Sequence, residues 1–244
     1  MFEDIARLAL VNAERMLEDS RLLIDKRSFG HAFGLGVLAD EEIAKGKLFW
    51  LASLGFANTR LTGKELRMGE RILQPFRSHR MKQGMQFGVR LAYNLIMPVL
   101  DDLLPLLGDK EHGLDRAVMM VPDYVENLFK DEAHWKEVMR PLFELVDIQA
   151  ERDRALYVDI AKDKVTSPLD FSEQRCREYV LTVESELDKA KKMFGLSLPK
   201  ELVREGLTVS LSLLKRRDVQ KYLREHGAAM HLKSARKEIE KLLH

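Results

Sequence analysis

The chain has 244 residues, of which 45% are apolar and 32% are charged, and its net charge is only +1. This composition is typical of a folded globular protein and excludes a mainly disordered chain. A single cysteine, Cys176, excludes an intrachain disulfide. Because no secretory signal is evident near the amino terminus, we expect a cytoplasmic protein.

The longest apolar run covers residues 91–107, and Pro98, Pro105 and the pair Asp101-Asp102 interrupt it. It is shorter than the roughly 20 residues that a membrane-spanning helix needs. We therefore expect a soluble protein that does not associate with membranes.

The first two predicted helices follow each other closely. Apolar residues at spacings of three and four predict a first helix that ends near Ile24. Ser28 is a suitable N-cap for a second helix over about Phe29–Leu54. Gly34 and Gly36 lie near the start of that helix, where we expect them to permit the close approach of a neighbouring helix.

The second helix places charged residues between two apolar stripes. Glu41 and Lys45 are four residues apart in the order that favours a helical ion pair, and Glu42 lies one step further round the helix. Charged groups inside a fold need partners or a function. The two interpretations are a partly buried Glu41–Lys45 pair that sets the helix register and a functional polar site.

A third helix is expected from about Thr62, and Pro75 should end or restart it before a fourth helix over about Phe76–Met97. The fourth helix has His79 and Lys82 on one face. The histidine could act as a general acid or base and the lysine could stabilise a phosphate charge, although a histidine near a helix start is often only a cap or an exposed residue. We predict no metal and no other cofactor, because the sequence has no Glu-x-x-His or Cys-x-x-Cys array.

Beyond a polar loop at 108–113, Pro122 predicts a new helix over about 123–129, and another helix should begin near Glu132. Residues 156–160 are rich enough in β-branched and aromatic side chains for a short strand or extended segment. Residues 164–170 contain Ser167-Pro168 and are predicted to form a linker.

Four further candidate site residues surround the extended segment, namely Arg152, Arg154, Tyr157 and Asp159. An arginine here could hold a phosphate with two hydrogen bonds. Equally, either arginine could pair with a neighbouring aspartate.

Three more helices are predicted at the carboxyl end, over about 171–194, 200–225 and 234–244. Residues 191–244 hold 13 Lys or Arg and 6 Asp or Glu, a net charge of +7. This excess suits either a solvated helix face or a surface that follows a phosphate backbone.

The predicted fold class is all-α, an antiparallel helical bundle with additional carboxyl-terminal helices. We divide the chain into a bundle core over 1–106, a helical extension over 107–168 and a net basic helical region over 169–244.

Several of these segments, taken in order, resemble the AbiV family of abortive infection proteins, a bacterial phage-defence family in the HEPN-like helical superfamily. The resemblance covers about residues 8–168. The segments are Ser28-Phe29-Gly30-His31-Ala32-Phe33, Glu41-Glu42-Ile43-Ala44-Lys45, His79-Arg80-Met81-Lys82 and Arg154-Ala155-Leu156-Tyr157-Val158-Asp159.

The resemblance implies a HEPN-like antiparallel bundle, a homodimer, and a role in halting phage propagation by shutting down the infected cell. Many HEPN proteins are metal-independent ribonucleases that use an arginine and a histidine with about four to six residues between them. Within the resembling range this chain departs from that spacing, since seven residues separate Arg71 from His79 and three separate Arg27 from His31. Arg224 and His231 have six residues between them but lie outside that range.

Three hypotheses follow. In the first, the protein defends by binding a phage protein, RNA or the translation machinery, and the polar residues form a pocket or organise a dimer. In the second, it is a ribonuclease in which His79 acts as acid or base while Lys82 or Arg154 stabilises the phosphate. In the third, it is a helical interaction module without a defence role.

Overall fold

The computed structural model describes residues 2–54, 102–103, 105–107, 109, 112–133, 135–136, 148–161, 164–196, 198–225, 236 and 239–240. The described helices and strands, numbered here in chain order, are α1 (Phe2–Asp25), α2 (Phe29–Ser53), α3 (Gly113–Leu128), α4 (Ile148–Leu156), β1 (Asp159–Ala161), β2 (Lys164–Thr166), α5 (Glu173–Gly195), α6 (Lys200–Leu213) and α7 (Arg217–Glu225). The predicted all-α class is confirmed, with one small β-hairpin added to it.

The chain forms two compact units. Unit 1 consists of Met1–Trp50 and Asp147–Leu196, and unit 2 consists of Leu51–Val146 and Ser197–His244. Each unit is therefore discontinuous in sequence. The division into three consecutive segments proposed from the sequence stays a prediction. The two compact units are defined by contacts, and contacts alone do not show which segments fold independently.

Unit 1 is a helical bundle whose directions follow from its side-chain contacts. Ser20 in α1 donates a 2.8 Å hydrogen bond to the carbonyl of Ala32 in α2, across the tight turn that joins these antiparallel helices. On α5, residues with higher numbers pair with residues of α1 with lower numbers, so these two helices are also antiparallel. The pairs are Arg21–Glu184 and Lys191–Glu14.

Apolar side chains from all three helices fill the core of unit 1. Leu17, Phe33 and Val183 are among its fully buried members. Phe33 packs against Phe171 and Tyr179, with ring centroids 4.6 and 4.8 Å away. The bundle predicted for the amino-terminal helices is thus completed by α5, which lies more than 100 residues away in sequence.

The turn between α1 and α2 is stabilised by backbone hydrogen bonds. Arg27 N–H donates to Ile24 and Ser28 N–H donates to Leu23, which is the paired arrangement that often ends helices. Arg27 adopts φ 58°, a left-handed conformation that costs less for glycine than for other residues. Ser28 lies just before α2 as predicted, and its Oγ is 3.0 Å from the ring Nδ1 of His31.

Glycines allow the first half of α2 to approach its neighbours closely. A Cβ on Gly30 would lie 2.5 Å from the carbonyl oxygen of Pro168 and 2.7 Å from that of Ala155. A Cβ on Gly34 would overlap Leu156 in α4, which confirms the predicted close approach there. Gly36 is different, because a Cβ there would meet only ordinary contacts, the nearest at 3.4 Å.

The segment predicted as a linker is instead folded. Strands β1 and β2 pair in antiparallel fashion, with Asp159 opposite Thr166, and the predicted extended segment begins later than expected because α4 continues to Leu156. A short 3-10 turn follows at Pro168–Asp170, where Ser167 Oγ accepts a hydrogen bond from Leu169 N–H. Pro168 is buried against the start of α2, which explains why this segment does not act as a linker.

Two helix boundaries in unit 2 differ from prediction. Helix α3 begins at Gly113 and contains Pro122, because Ala117, Val121 and Val125 form a buried stripe at four-residue spacing that continues through the proline. The helix predicted over 200–225 is two helices, α6 and α7. The side-chain amide of Gln220 donates to the carbonyls of Leu214 and Lys215, which satisfies them where the helix breaks.

Candidate functional site

Helix α2 carries the predicted polar residues, and the structure gives each of them a partner. Glu41 accepts a hydrogen bond from Arg152 of α4, with a distance of 3.4 Å between Oε1 and Nη1. Arg152 also pairs with its neighbour Asp153 at 3.1 Å. Both Glu41 and Arg152 are largely shielded from solvent. The contact therefore joins two helices that are more than 100 residues apart in sequence.

Lys45 pairs with Glu42 and not with Glu41, so the predicted i to i+4 pair is wrong. The ammonium of Lys45 lies 2.9 and 3.2 Å from the two carboxylate oxygens of Glu42. Residues three apart on a helix are also neighbours. The carboxylate of Glu41 instead faces Arg152 of the adjacent helix, which explains why the pairing moved by one residue.

The remaining predicted site residues lie near the end of α4, at the start of β1 or outside the described part of the chain. Arg154 is exposed near the end of α4, and Tyr157 is exposed just after it. Asp159 is the first residue of β1. His79 and Lys82 lie outside the described residues, so their roles stay predictions.

Sequence analysis missed a second, more deeply buried set of charges between α2 and α5. Lys47 and Glu186 pair at 2.9 Å, and their side chains are only 2% and 5% exposed. Lys189 also donates to Glu186, at 3.0 Å. Two turns earlier on both helices, Tyr179 donates to the buried carboxylate of Asp40 at 3.2 Å.

A signal for these contacts exists in the sequence. Asp40 and Lys47 are seven residues apart, so they lie on one face of α2 two turns apart. Tyr179 and Glu186 have the same spacing on α5. The order of the two contacts, Asp40 with Tyr179 and Lys47 with Glu186, shows that α2 and α5 run parallel. The matched spacing identifies the partners only once the two helices are known to be adjacent.

Another ion pair fixes α4 against α5. Arg175 Nη2 lies 2.7 Å from Oε2 of Glu151, and its Nε lies 3.2 Å from the same oxygen. The guanidinium also lies 5.8 Å from the ring centroids of Phe33 and Tyr179. The end of α4 and the chain that follows it are therefore held in a defined position.

An apolar surface lies beside the β-hairpin. Tyr157 is 62% exposed, Val158 is 70% exposed and Leu169 is 84% exposed. Val158 precedes Asp159, whose strand partner Thr166 is three residues before Leu169, so all three residues lie near the base of the hairpin. We call these three residues the hairpin-base patch. Arg154 adds an exposed positive charge just before it.

Cys176 in unit 1 is not a reactive nucleophile at neutral pH. This thiol is fully buried, and burial raises its pKa to about 11. Among the described residues, no group of three or more His, Cys, Asp and Glu side chains is arranged to hold a metal ion. No helix in the described ranges has the length and apolar character needed to cross a membrane.

Comparison with known proteins identifies a family. The chain matches the HEPN_AbiV family model, described as AbiV, over residues 1–187. No curated protein and no solved structure shows a significant match. The matched range includes α2 with its buried charges, the hairpin and most of α5. Because this match covers well over half of the chain, the protein belongs to the AbiV family, and that membership implies a role in abortive infection, a form of phage defence.

Proposed function

We propose that this protein acts in abortive infection by binding, and that the hairpin-base patch contacts a phage protein. The observation that carries the proposal is the exposure of three apolar side chains, Tyr157, Val158 and Leu169, near the base of the hairpin. Exposed apolar side chains that cluster in this way are typical of protein interaction surfaces. Tyrosine and arginine are enriched among the residues that dominate binding energy, and Arg154 adjoins the patch.

The scaffold supports this proposal because it presents the patch rigidly. The turn that carries Leu169 packs on Gly30, and α4 is tied to its neighbours through Arg152 and Arg175. A surface that is already ordered loses less conformational entropy when it binds. In this proposal the pairs Glu41–Arg152 and Glu42–Lys45 organise the binding surface and have no chemical role of their own.

The test uses substitutions on the patch and a matched control. Leu169→Asp places a charge at the most exposed patch residue, and Tyr157→Ala removes the aromatic side chain. Leu8→Asp is the control, since Leu8 is 66% exposed on α1. Each protein is immobilised and exposed to extract from phage-infected cells, and any phage protein retained is identified, purified and titrated.

We expect wild type and Leu8→Asp to bind the same phage protein with similar affinity. We expect the two patch variants to bind it at least tenfold more weakly while retaining the wild-type circular dichroism spectrum. Equal affinity of all four proteins would remove the patch from the proposal. If RNA or ribosomes are retained and no phage protein is, the partner is RNA or the translation machinery and not a phage protein.

The expected homodimer is a further part of the proposal. Light scattering of the purified chain distinguishes a monomer of 28.2 kDa from a particle of twice that mass. If the wild type is a dimer and Leu169→Asp is a monomer, the hairpin-base patch is a contact between two copies of the chain, and the phage protein binds elsewhere.

A further inference from the structure

Helix α1 has a second patterned face in addition to the one that fills the core of unit 1. Four exposed residues follow each other there at spacings of four, three and four. They are Val11, Arg15, Glu18 and Leu22. At about 100° per residue, they lie on the side of the helix opposite the buried residues Ala13 and Leu17. We call these four residues the outer stripe of α1.

The apolar members of this face repeat in the way that paired helices do. Val11 is 45% exposed and Leu22 is 63% exposed. Leu8, which is 66% exposed, continues the same pattern one turn earlier. Single exposed leucines are ordinary, but positions that alternate between spacings of three and four are those by which one helix packs along another. The outer stripe therefore predicts a helical partner.

Two opposite charges lie at the centre of the outer stripe. Arg15 and Glu18 are both exposed. Arg21 lies one turn beyond Glu18, but its guanidinium is already hydrogen-bonded to Glu184 of α5 at 2.7 Å. Charges at the contact positions of paired helices select the partner and its direction. The partner of this face must therefore present a carboxylate to Arg15 and a cation to Glu18.

We propose that the outer stripe pairs in antiparallel fashion with the outer stripe of a second copy of this chain. With a two-fold axis between residues 16 and 17, Val11 faces Leu22 of the second copy and Arg15 faces Glu18. Each of these contacts occurs twice, because a two-fold interface is self-complementary. Parallel pairing would instead place arginine against arginine and glutamate against glutamate, so the charges select the antiparallel direction.

The ends of the overlap contribute less than its centre. In this register Leu8 faces Asp25 of the second copy, and Asp25 is the last residue of α1. An aliphatic side chain opposite a carboxylate provides little attraction. The association therefore depends on the four residues of the outer stripe.

Contacts with α5 hold α1 ready for this pairing. Arg21 pairs with Glu184 and Glu14 pairs with Lys191, so the direction of α1 is set within one copy. A face that is already ordered loses less conformational entropy on association. This inference rests on the homodimer expected in the proposed function and names the face on which it forms. The outer stripe and the hairpin-base patch share no residue, so dimer formation and binding of a phage protein use different side chains.

Charge reversals test the pairing and its register. Arg15→Glu places carboxylates opposite each other, and Glu18→Arg places guanidinium groups opposite each other. Each should raise the dissociation constant of the dimer at least tenfold. The double variant Arg15→Glu/Glu18→Arg exchanges the two signs and should form a dimer as wild type does. An equimolar mixture of the two single variants should form a heterodimer for the same reason.

Light scattering over about 1–200 µM protein measures the dissociation constants, since the monomer has a mass of 28.2 kDa. Arg204→Glu reverses an exposed charge on α6 and is the control, which should form a dimer as wild type does. Because the substituted side chains are exposed, every variant should keep the wild-type circular dichroism spectrum.

The inference is overturned if wild type stays monomeric up to about 200 µM or if the single reversals form dimers as tightly as wild type does. It is also overturned if the double variant or the mixture stays monomeric. A dimer that Leu169→Asp dissociates and Arg15→Glu does not would place the contact at the hairpin-base patch instead. Binding of a phage protein to that patch needs no second copy. A monomeric wild type that still binds a phage protein would therefore overturn this inference alone and leave the proposed function intact.

Discussion

Replacing Lys47 by methionine should destabilise unit 1 strongly. Its ammonium lies 2.9 Å from the Glu186 carboxylate, and both side chains are at most 5% exposed. Removing one member of a buried ion pair leaves the other charge in a poorly hydrated site, which costs about 3–5 kcal/mol. Because Lys189 also contacts Glu186, at 3.0 Å, we place the expected loss near the lower end, about 3 kcal/mol.

A double-mutant cycle separates this effect from lost packing. Glu186→Leu alone should also lower the free energy of unfolding by about 3 kcal/mol. The double variant Lys47→Met/Glu186→Leu removes both charges, so its total destabilisation should be smaller than the sum of the two single effects by at least about 2 kcal/mol. Lys189→Met is the matched control. The Lys189 side chain is 45% exposed, so Lys189→Met should lower the free energy of unfolding by at most about 1 kcal/mol.

The assay is guanidinium unfolding followed by tryptophan fluorescence. In a Trp135→Phe background the signal comes from Trp50, which is in unit 1, is buried and stacks on Phe194 of α5. A loss below about 1 kcal/mol for Lys47→Met, together with additivity in the cycle, would show that the pair does not hold α2 to α5.

Three further predictions concern single positions in unit 1. Gly30→Ala should lower the free energy of unfolding by about 1–3 kcal/mol because its Cβ would meet two backbone carbonyls. Gly36→Ala should stay within about 1 kcal/mol of wild type. Chemical denaturation of both variants tests this contrast, and equal effects would contradict it. Arg27→Gly should raise the melting temperature, since it removes a left-handed strain of about 1 kcal/mol, and an unchanged or lower value would show that the Arg27 side chain compensates. Cys176 should resist iodoacetamide at pH 8 in the folded protein and react fully in denaturant, and rapid labelling of the folded protein would contradict this. Because folding raises the pKa of this thiol from 9.0 to about 11, the free energy of unfolding should fall as the pH rises from 9 towards 11.

Much of the fold could be predicted from local patterns. The apolar spacing in α1, the N-cap position of Ser28 and the small side chains of α2 were each visible in the sequence, and the structure has the corresponding helices at nearly the same residues. The errors arose where distant packing overrides a local signal. Pro122 lies within α3 because a buried apolar stripe continues through it, and the segment around Pro168 is ordered because the start of α2 covers it.

The candidate site was harder to predict for the same reason. Glu41, Glu42 and Lys45 could be recognised as charges in an apolar helix, but their partners depend on which helices are adjacent. The partner of Lys47 is Glu186 of α5, and nothing in the sequence around Lys47 identifies it. Single-sequence periodicity contains no information on the parallel pairing of α2 with α5, which are separated by about 120 residues along the chain.

The central claim is that this AbiV-family protein defends by binding through the hairpin-base patch, and phage plating tests it most directly. Cells that express wild type, Leu169→Asp, Leu8→Asp or His79→Ala are infected in parallel, with equal protein levels confirmed by immunoblot. The binding account predicts that Leu169→Asp loses protection while Leu8→Asp and His79→Ala retain it. The account is contradicted if Leu169→Asp protects fully and His79→Ala does not, especially if wild-type protein alone then cleaves RNA in the presence of a chelator.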